Sequence, residues 1–136
     1  MRNSIILISL LLLSVMGYSQ QSLDEHYDVI TPVQTQLDGY NTGDIELFLS
    51  AYSDSVKVYN YPDEFSYQGK DKMRVSYGGM FKNLPDLHCR LVGRMVLGNK
   101  VIDQEYVIFQ KDGKPLHAIA IYTVKDGLIQ EVRFMR

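Results

Sequence analysis

An α+β fold, with helices laid on one face of a curved, mainly antiparallel sheet, is predicted by three observations. Helical spacing and capping signals occupy the stretch that begins at Thr31, strict two-residue alternation takes over from Asp86, and three turn pairs divide that second part into four segments. The length agrees with this, because 136 residues, 46% apolar and 22% charged, suffice for one domain around a single core. One cysteine excludes a disulfide scaffold and a thiolate metal cluster. With 14 basic residues against 16 acidic ones the chain has no basic footprint, and nucleic acid is not an expected partner.

The opening residues read as an export signal, with an uncleaved anchor as the weaker reading. Arg2 supplies a positive start, Ile5 to Met16 form an apolar run, and Gly17-Tyr18-Ser19 offers small residues for cleavage after Ser19. That run is shorter than the roughly 20 residues of a spanning helix. The expected organisation is a signal peptide over residues 1–19 and a single domain over 20–136. The product would be exported, periplasmic or secreted, with no membrane contact after signal removal. Cys89 alternates with Leu87 and Leu91, as a packed, inert strand thiol would.

Within the domain, Thr31-Pro32-Val33-Gln34 has the form of a helix start: a hydroxyl cap, proline at the first helical position and a glutamine placed for a capping box. A helix should run from there to about Asn41. After Gly43, Asp44 to Leu49 begins a second short helix with acidic residues near its positive end. Ser55 to Tyr61 alternates as a first strand, ended by Pro62. Between Gly69 and Leu84-Pro85, Met73, Tyr77, Met80 and Phe81 recur at helical spacing, which predicts a third helix over Lys70 to Asn83. Gly98-Asn99, Asp112-Gly113 and Asp126-Gly127 are two-residue hairpin signals, so four antiparallel strands should follow at about 87–97, 100–111, 114–125 and 128–136.

These residues resemble a known family. Tyr40-Asn41, Gly43 to Glu46, Tyr52-Ser53-Asp54, Tyr59 to Pro62, Gly69-Lys70-Asp71, Pro85 to Cys89, Gly98 to Asp103 and the ending from Asp126 to Arg136 are similar, in order and spacing, to SnoaL-like members of the nuclear transport factor 2 superfamily. The resemblance implies a cone-shaped domain whose helices and sheet enclose an apolar pocket, often a homodimer through the outer sheet face. Its members include ketosteroid isomerases, polyketide cyclases and dehydratases. Carried over, the isomerase aspartate near the end of the first strand falls on Asn60, which cannot take a proton at neutral pH. The tyrosine donating to the dienolate oxygen falls on Gln36, with Tyr40 one turn later on the same helical face. The protonated aspartate of the oxyanion hole falls on Ala120 or Tyr122, depending on where a gap is placed.

Two-residue turns would pair Arg94 with Asp103, Glu105 with Ala120 and Asp103 with Tyr122. His88, Arg90, Arg94, Asp103, Glu105 and Tyr122 would then share a sheet face with Val107, Phe109, Leu116 and Ala118. Leu87, Cys89, Leu91, Met95, Ile102, Tyr106, Ile108, Ile119 and Ile121 would share the other. Alternation alone leaves open which face is inward, and an ordinary surface ion pair at Arg94 fits it too. The resemblance turns the acidic face toward the pocket, where small Ala118 and Ala120 leave room for a ligand and burial raises a carboxyl's proton affinity. His26, His88 and His117 lack metal-ligand spacing; no metal or cofactor is expected.

The expected function is binding of a small apolar ligand. Any catalysis would be cofactor-free acid-base chemistry of the steroid delta-isomerase or lyase type. Asp103 or Glu105 would carry the proton and Tyr40 or Tyr122 would donate a hydrogen bond. Gln36, Asn60, Arg94, Val107, Phe109, Ala118 and Ala120 would contact the ligand. The alternative is a non-catalytic binding or interaction module that has lost its base at Asn60. The second apolar face would pair two copies into a homodimer.

Overall fold

Helical geometry is already present at residue 29 and continues to residue 42 (α1) in the structure, a computed structural model that describes residues 29–136. The expected signal peptide and His26 lie outside the described residues. Thr31 and Pro32 therefore sit within α1 and do not begin it. The reason is burial: Val29, Val33 and Leu37, four residues apart, form one stripe that packs into the core, and that stripe extends the helix ahead of the capping motif.

Gly43, at φ +68°, ends α1 and leads to α2 (Ile45–Ser50). The Asp44 carboxylate caps α2, accepting from the N–H groups of Glu46 and Leu47 at 3.0 Å. The two helices touch backbone to backbone at Gly39, where an added Cβ would stand 2.4 Å from the Phe48 nitrogen. β1 (Tyr52–Asn60) turns through a cis Tyr61–Pro62 bond into β2 (Glu64–Gln68), a strand not expected from the sequence. β2 is short and lies at the sheet edge with most of its side chains exposed, so burial imprints little pattern on it. α3 (Lys70–Asn83) forms as predicted, and Gly78-Gly79 is tolerated because nothing packs against either glycine. Tyr40, Phe48, Tyr77 and Phe81 join all three helices, with every pair of these four rings 4.5–6.3 Å between centroids.

β3 (His88–Leu97), β4 (Lys100–Ile108), β5 (Leu116–Lys125) and β6 (Leu128–Met135) form the expected meander. The curved six-stranded sheet has the order β2-β1-β6-β5-β4-β3, with β1 and β6 parallel and every other pair antiparallel. Gly98-Asn99 and Asp126-Gly127 are two-residue turns, as predicted, joining Leu97 to Lys100 and Lys125 to Leu128. Asp112-Gly113 is not. The ladder stops at Val107 opposite Leu116; Lys111 N–H donates instead to Asp86 Oδ2 and Gly113 N–H to Gln110 O, while Pro115 has no N–H to offer a ladder. Asp103 consequently faces Ala120 rather than Tyr122, and Glu105 faces Ala118 rather than Ala120. The shift is two residues, an even number, so every side chain keeps its predicted face.

A bulge in β3 changes the faces there. Leu91 pairs with Glu105 and Gly93 with Gln104, leaving Val92 as the extra residue. Beyond it the strand's alternation inverts. His88 and Arg90 are exposed on the outer face, where the Arg90 guanidinium lies 4.9 Å over the Tyr106 ring, and Leu87, Cys89 and Leu91 turn inward. The outer face is thereby less apolar than the sequence suggested, though it keeps half-buried Ile102, Ile108, Ile119 and Ile121 beside Met95, which is 66% exposed.

Ordinarily, replacing a mid-helix glycine by alanine adds about 0.5–1 kcal/mol of stability. At Gly39 the clash with the Phe48 backbone should reverse the sign, so that Gly39→Ala lowers stability by about 1–3 kcal/mol in denaturant titration. A stabilised variant would show that the α1–α2 crossing yields freely.

Candidate functional site

Along β4 the inward residues are Val101, Asp103, Glu105 and Val107, all buried. Across from Glu105 stands Ala118, too small to fill the space beneath the helices, whereas Ala120, across from Asp103, is packed into the core. The result is a cavity of about 250 Å³. Its walls come from Gln36, Leu37 and Tyr40 of α1, Phe48 of α2, Tyr52 of β1, and Tyr77 and Met80 of α3. The sheet contributes Cys89, Glu105, Val107, Ala118 and Tyr122, and Phe109, Leu116, Phe134 and Arg136 complete the lining.

The two acids have different surroundings. Asp103, 1% exposed, is held by Arg94 through a bidentate pair, Nε to Oδ1 at 2.7 Å and the second nitrogen to Oδ2 at 2.8 Å. Arg94 also donates to Gln34 Oε1 at 2.9 Å, which ties the pair to α1. Among the described residues Glu105 has no cation bonded to it. Its Oε1 accepts from the Tyr122 hydroxyl at 3.1 Å; that hydroxyl accepts from Gln36 Nε2 at 3.1 Å, and Gln36 Oε1 accepts from the Tyr52 hydroxyl at 3.3 Å. Burial pushes the Glu105 carboxyl up to about 7, against the opposing pull of the Tyr122 hydrogen bond, and the neighbouring Asp103 charge adds to the rise. Such a group exchanges a proton near neutral pH.

Tyr40 lines the cavity, and burial pushes its hydroxyl well above the usual range, so it remains a proton-bearing donor. Cys89 is buried, and desolvation followed by the Glu105 and Asp103 charges pushes its thiol up to about 12, as befits an unreactive thiol. Asn41 clamps the edge strand at this residue: its Oδ1 accepts from Cys89 N–H at 2.7 Å and its Nδ2 donates to Cys89 O at 2.9 Å. Among the described residues no group of three or more His, Cys, Asp or Glu is placed to hold a metal ion.

Of the residues singled out in the sequence, Glu105, Tyr40, Tyr122, Gln36, Val107, Phe109 and Ala118 meet on the cavity wall. Asp103 and Arg94 bind each other behind it. Ala120 is packed into the core, and Asn60 ends β1 opposite Glu64 and Phe134; Phe134 lines the cavity, and Asn60 itself is not part of the lining. Tyr52, Phe48, Cys89, Phe134 and Arg136 line the cavity without having been singled out as site residues. Tyr77 and Met80 had a signal in the helical spacing of α3, whereas Cys89 needed the bulge to be recognised; a glycine inside a strand, here Gly93, is its mark.

The family model of the SnoaL-like domain matches residues 33–132. The chain belongs to the SnoaL-like family. Among solved structures, this SnoaL-like chain is similar to a cystatin-fold protein of Novosphingobium aromaticivorans, at 22% identity and TM-score 0.72, covering 79% of this chain and 97% of that one. It is also similar to a nuclear transport factor 2-like protein of Cytophaga hutchinsonii, at 14% identity and TM-score 0.66, covering 78% and 87%. An LEH-like epoxide hydrolase of M. tuberculosis matches at 17% identity and TM-score 0.66, covering 80% and 82%. At these identities the likeness is one of fold. A search of curated proteins found no match.

The Glu105 environment has a consequence for stability. The folded SnoaL-like domain holds this proton more tightly than the unfolded chain, so the stabilisation is complete below pH 4.5 and is lost as pH rises to about 7. The loss amounts to about 3 kcal/mol. Glu105→Gln should flatten the wild-type decline over this range in denaturant titrations, and a slope unaltered by the substitution would contradict the raised carboxyl.

Proposed function

We propose that this chain binds a small, largely apolar carbonyl compound in the cavity and moves a proton on it without a cofactor. The observation that carries this reading is Glu105, a carboxyl with a proton affinity near neutrality, aimed from β4 into a cavity walled mainly by apolar and tyrosyl side chains. In its charged form Glu105 removes a proton from the carbon beside a carbonyl, and the resulting carboxylic acid returns the proton to the same or a conjugated carbon. Tyr122 orients the Glu105 carboxylate through Oε1, and Gln36 and Tyr52 fix Tyr122 in turn. Tyr40 is the donor for the substrate oxygen as negative charge develops on it. Asp103 is less suited to this task than Glu105, because both its oxygens are occupied by Arg94.

Isomerisation of 3-cyclohexenone, followed by the absorbance of the conjugated product, tests this. Turnover should rise with pH to a plateau through about pH 7, as the base deprotonates. Glu105→Gln should lower kcat/KM by about 100-fold or more. Binding without turnover in wild type would favour the module that has lost its base, the reading that the neutral amide of Asn60 supports.

Export from the cell and self-association belong to the same proposal. The outer face carries Met95, Leu97, Ile102, Ile119 and Ile121, each exposed or only half-buried, and a second copy packed around a two-fold axis would remove this surface from water. Sedimentation at micromolar concentration should show a dimer that Ile119→Glu converts to monomer. A wild-type monomer would overturn this assignment of the outer face.

A further inference from the structure

Among the described residues, the cavity wall holds one cation. Arg136 lines it and is solvent-exposed, so this residue lies at the cavity's opening, with its guanidinium over the ring of Phe134, another lining residue. Among the described residues its recorded contact is a stacking one, 5.2 Å over the Phe134 ring, and no carboxylate pairs with it. This sets it apart from Arg74, Arg94 and Arg133, each of which has an acidic partner. The hydroxyls of Tyr40 and Tyr77, on the same wall, also form no hydrogen bond with a described residue. Three donor groups thus face one space whose remaining lining is largely apolar.

We propose that the ligand is a monocarboxylate with an apolar body, its carboxylate held at the opening by Arg136 and its body reaching inward past Leu37, Met80 and Val107 toward Glu105. The inference rests on the cavity reading given above and adds the charge of the ligand to it. A guanidinium presents paired N–H groups that match a carboxylate, and stacking on Phe134 holds its plane. The charge of Arg136 reaches inside: it opposes the rise in proton affinity at Tyr40, Tyr67, Tyr77 and Glu105. A single cation balances one negative charge, which favours a carboxylate over a phosphate dianion. The cavity, at about 250 Å³, lies below the roughly 300–1,000 Å³ common for drug-sized ligands and suits a body of one ring.

Calorimetric titration of the full chain at pH 6, where Glu105 keeps its proton, compares 3-phenylpropionate with 3-phenylpropanol. The two share a body and differ in charge. Wild type should bind the acid about tenfold more tightly than the alcohol. Arg136→Met should abolish that preference and leave the alcohol's affinity unchanged. Equal affinities in wild type, or a preference that survives Arg136→Met, would overturn the assignment of charge while leaving the cavity reading intact. Binding of neither probe would overturn both.

Discussion

A carboxylate that is 1% exposed must be paired, and Asp103 is paired on both oxygens by one arginine. The pair links directly opposed residues of β3 and β4, and the third arm of Arg94 reaches Gln34 on α1. One buried contact therefore ties the β3–β4 hairpin to the first helix. It also shapes the chemistry two residues away. With Arg94 committed to Asp103, Glu105 has no ion partner of its own; desolvation dominates its proton affinity, and the remaining Asp103 field adds to it. A pair at Glu105 instead would hold that carboxyl charged.

The bulge at Val92 lets β3 serve both needs. Before it, Cys89 and Leu91 face inward and give the sheet an apolar wall; after it, Arg94 faces inward and meets Asp103. Unbroken alternation would send one of these two sets to solvent. Because β3 is an edge strand, its outer backbone groups lack a neighbouring strand, and Asn41 supplies both partners at Cys89 from the end of α1. The side chain of one helix residue thus stands in for a missing strand at the cavity wall.

Four of the cavity's polar side chains form one hydrogen-bonded chain. Tyr52, Gln36, Tyr122 and Glu105 belong to four different elements, and each donates to the next. Among the described residues, Ser53 Oγ is the buried side-chain atom left without a partner, which shows how fully the rest of the polar interior is paired. The aromatic cluster of Tyr40, Phe48, Tyr77 and Phe81 holds the three helices at a fixed height above this chain. A scaffold of this kind is common to proteins of several functions, so the fold alone assigns none, and the proposed reading rests on Glu105 and its surroundings.

The amino-acid sequence by itself determined the α+β class, the three helices, five of the six strands and two of the three hairpin turns. These depend on local signals: periodicity, caps, and pairs of residues that accept positive φ. It also determined that Arg94 would face Asp103, because a two-residue turn sets its own register. Tertiary structure decided what local signals do not encode. Burial of Val29 carried α1 ahead of its apparent cap, and the exposed edge strand β2 left no apolar alternation to read. The parallel pairing of β1 with β6 joins residues far apart in the chain, and the bulge at Val92 took effect only through the partner strand. Arg136 reached the cavity for the same reason: β6 lies beside β1 and β5, and only that pairing brings the end of the chain to the wall.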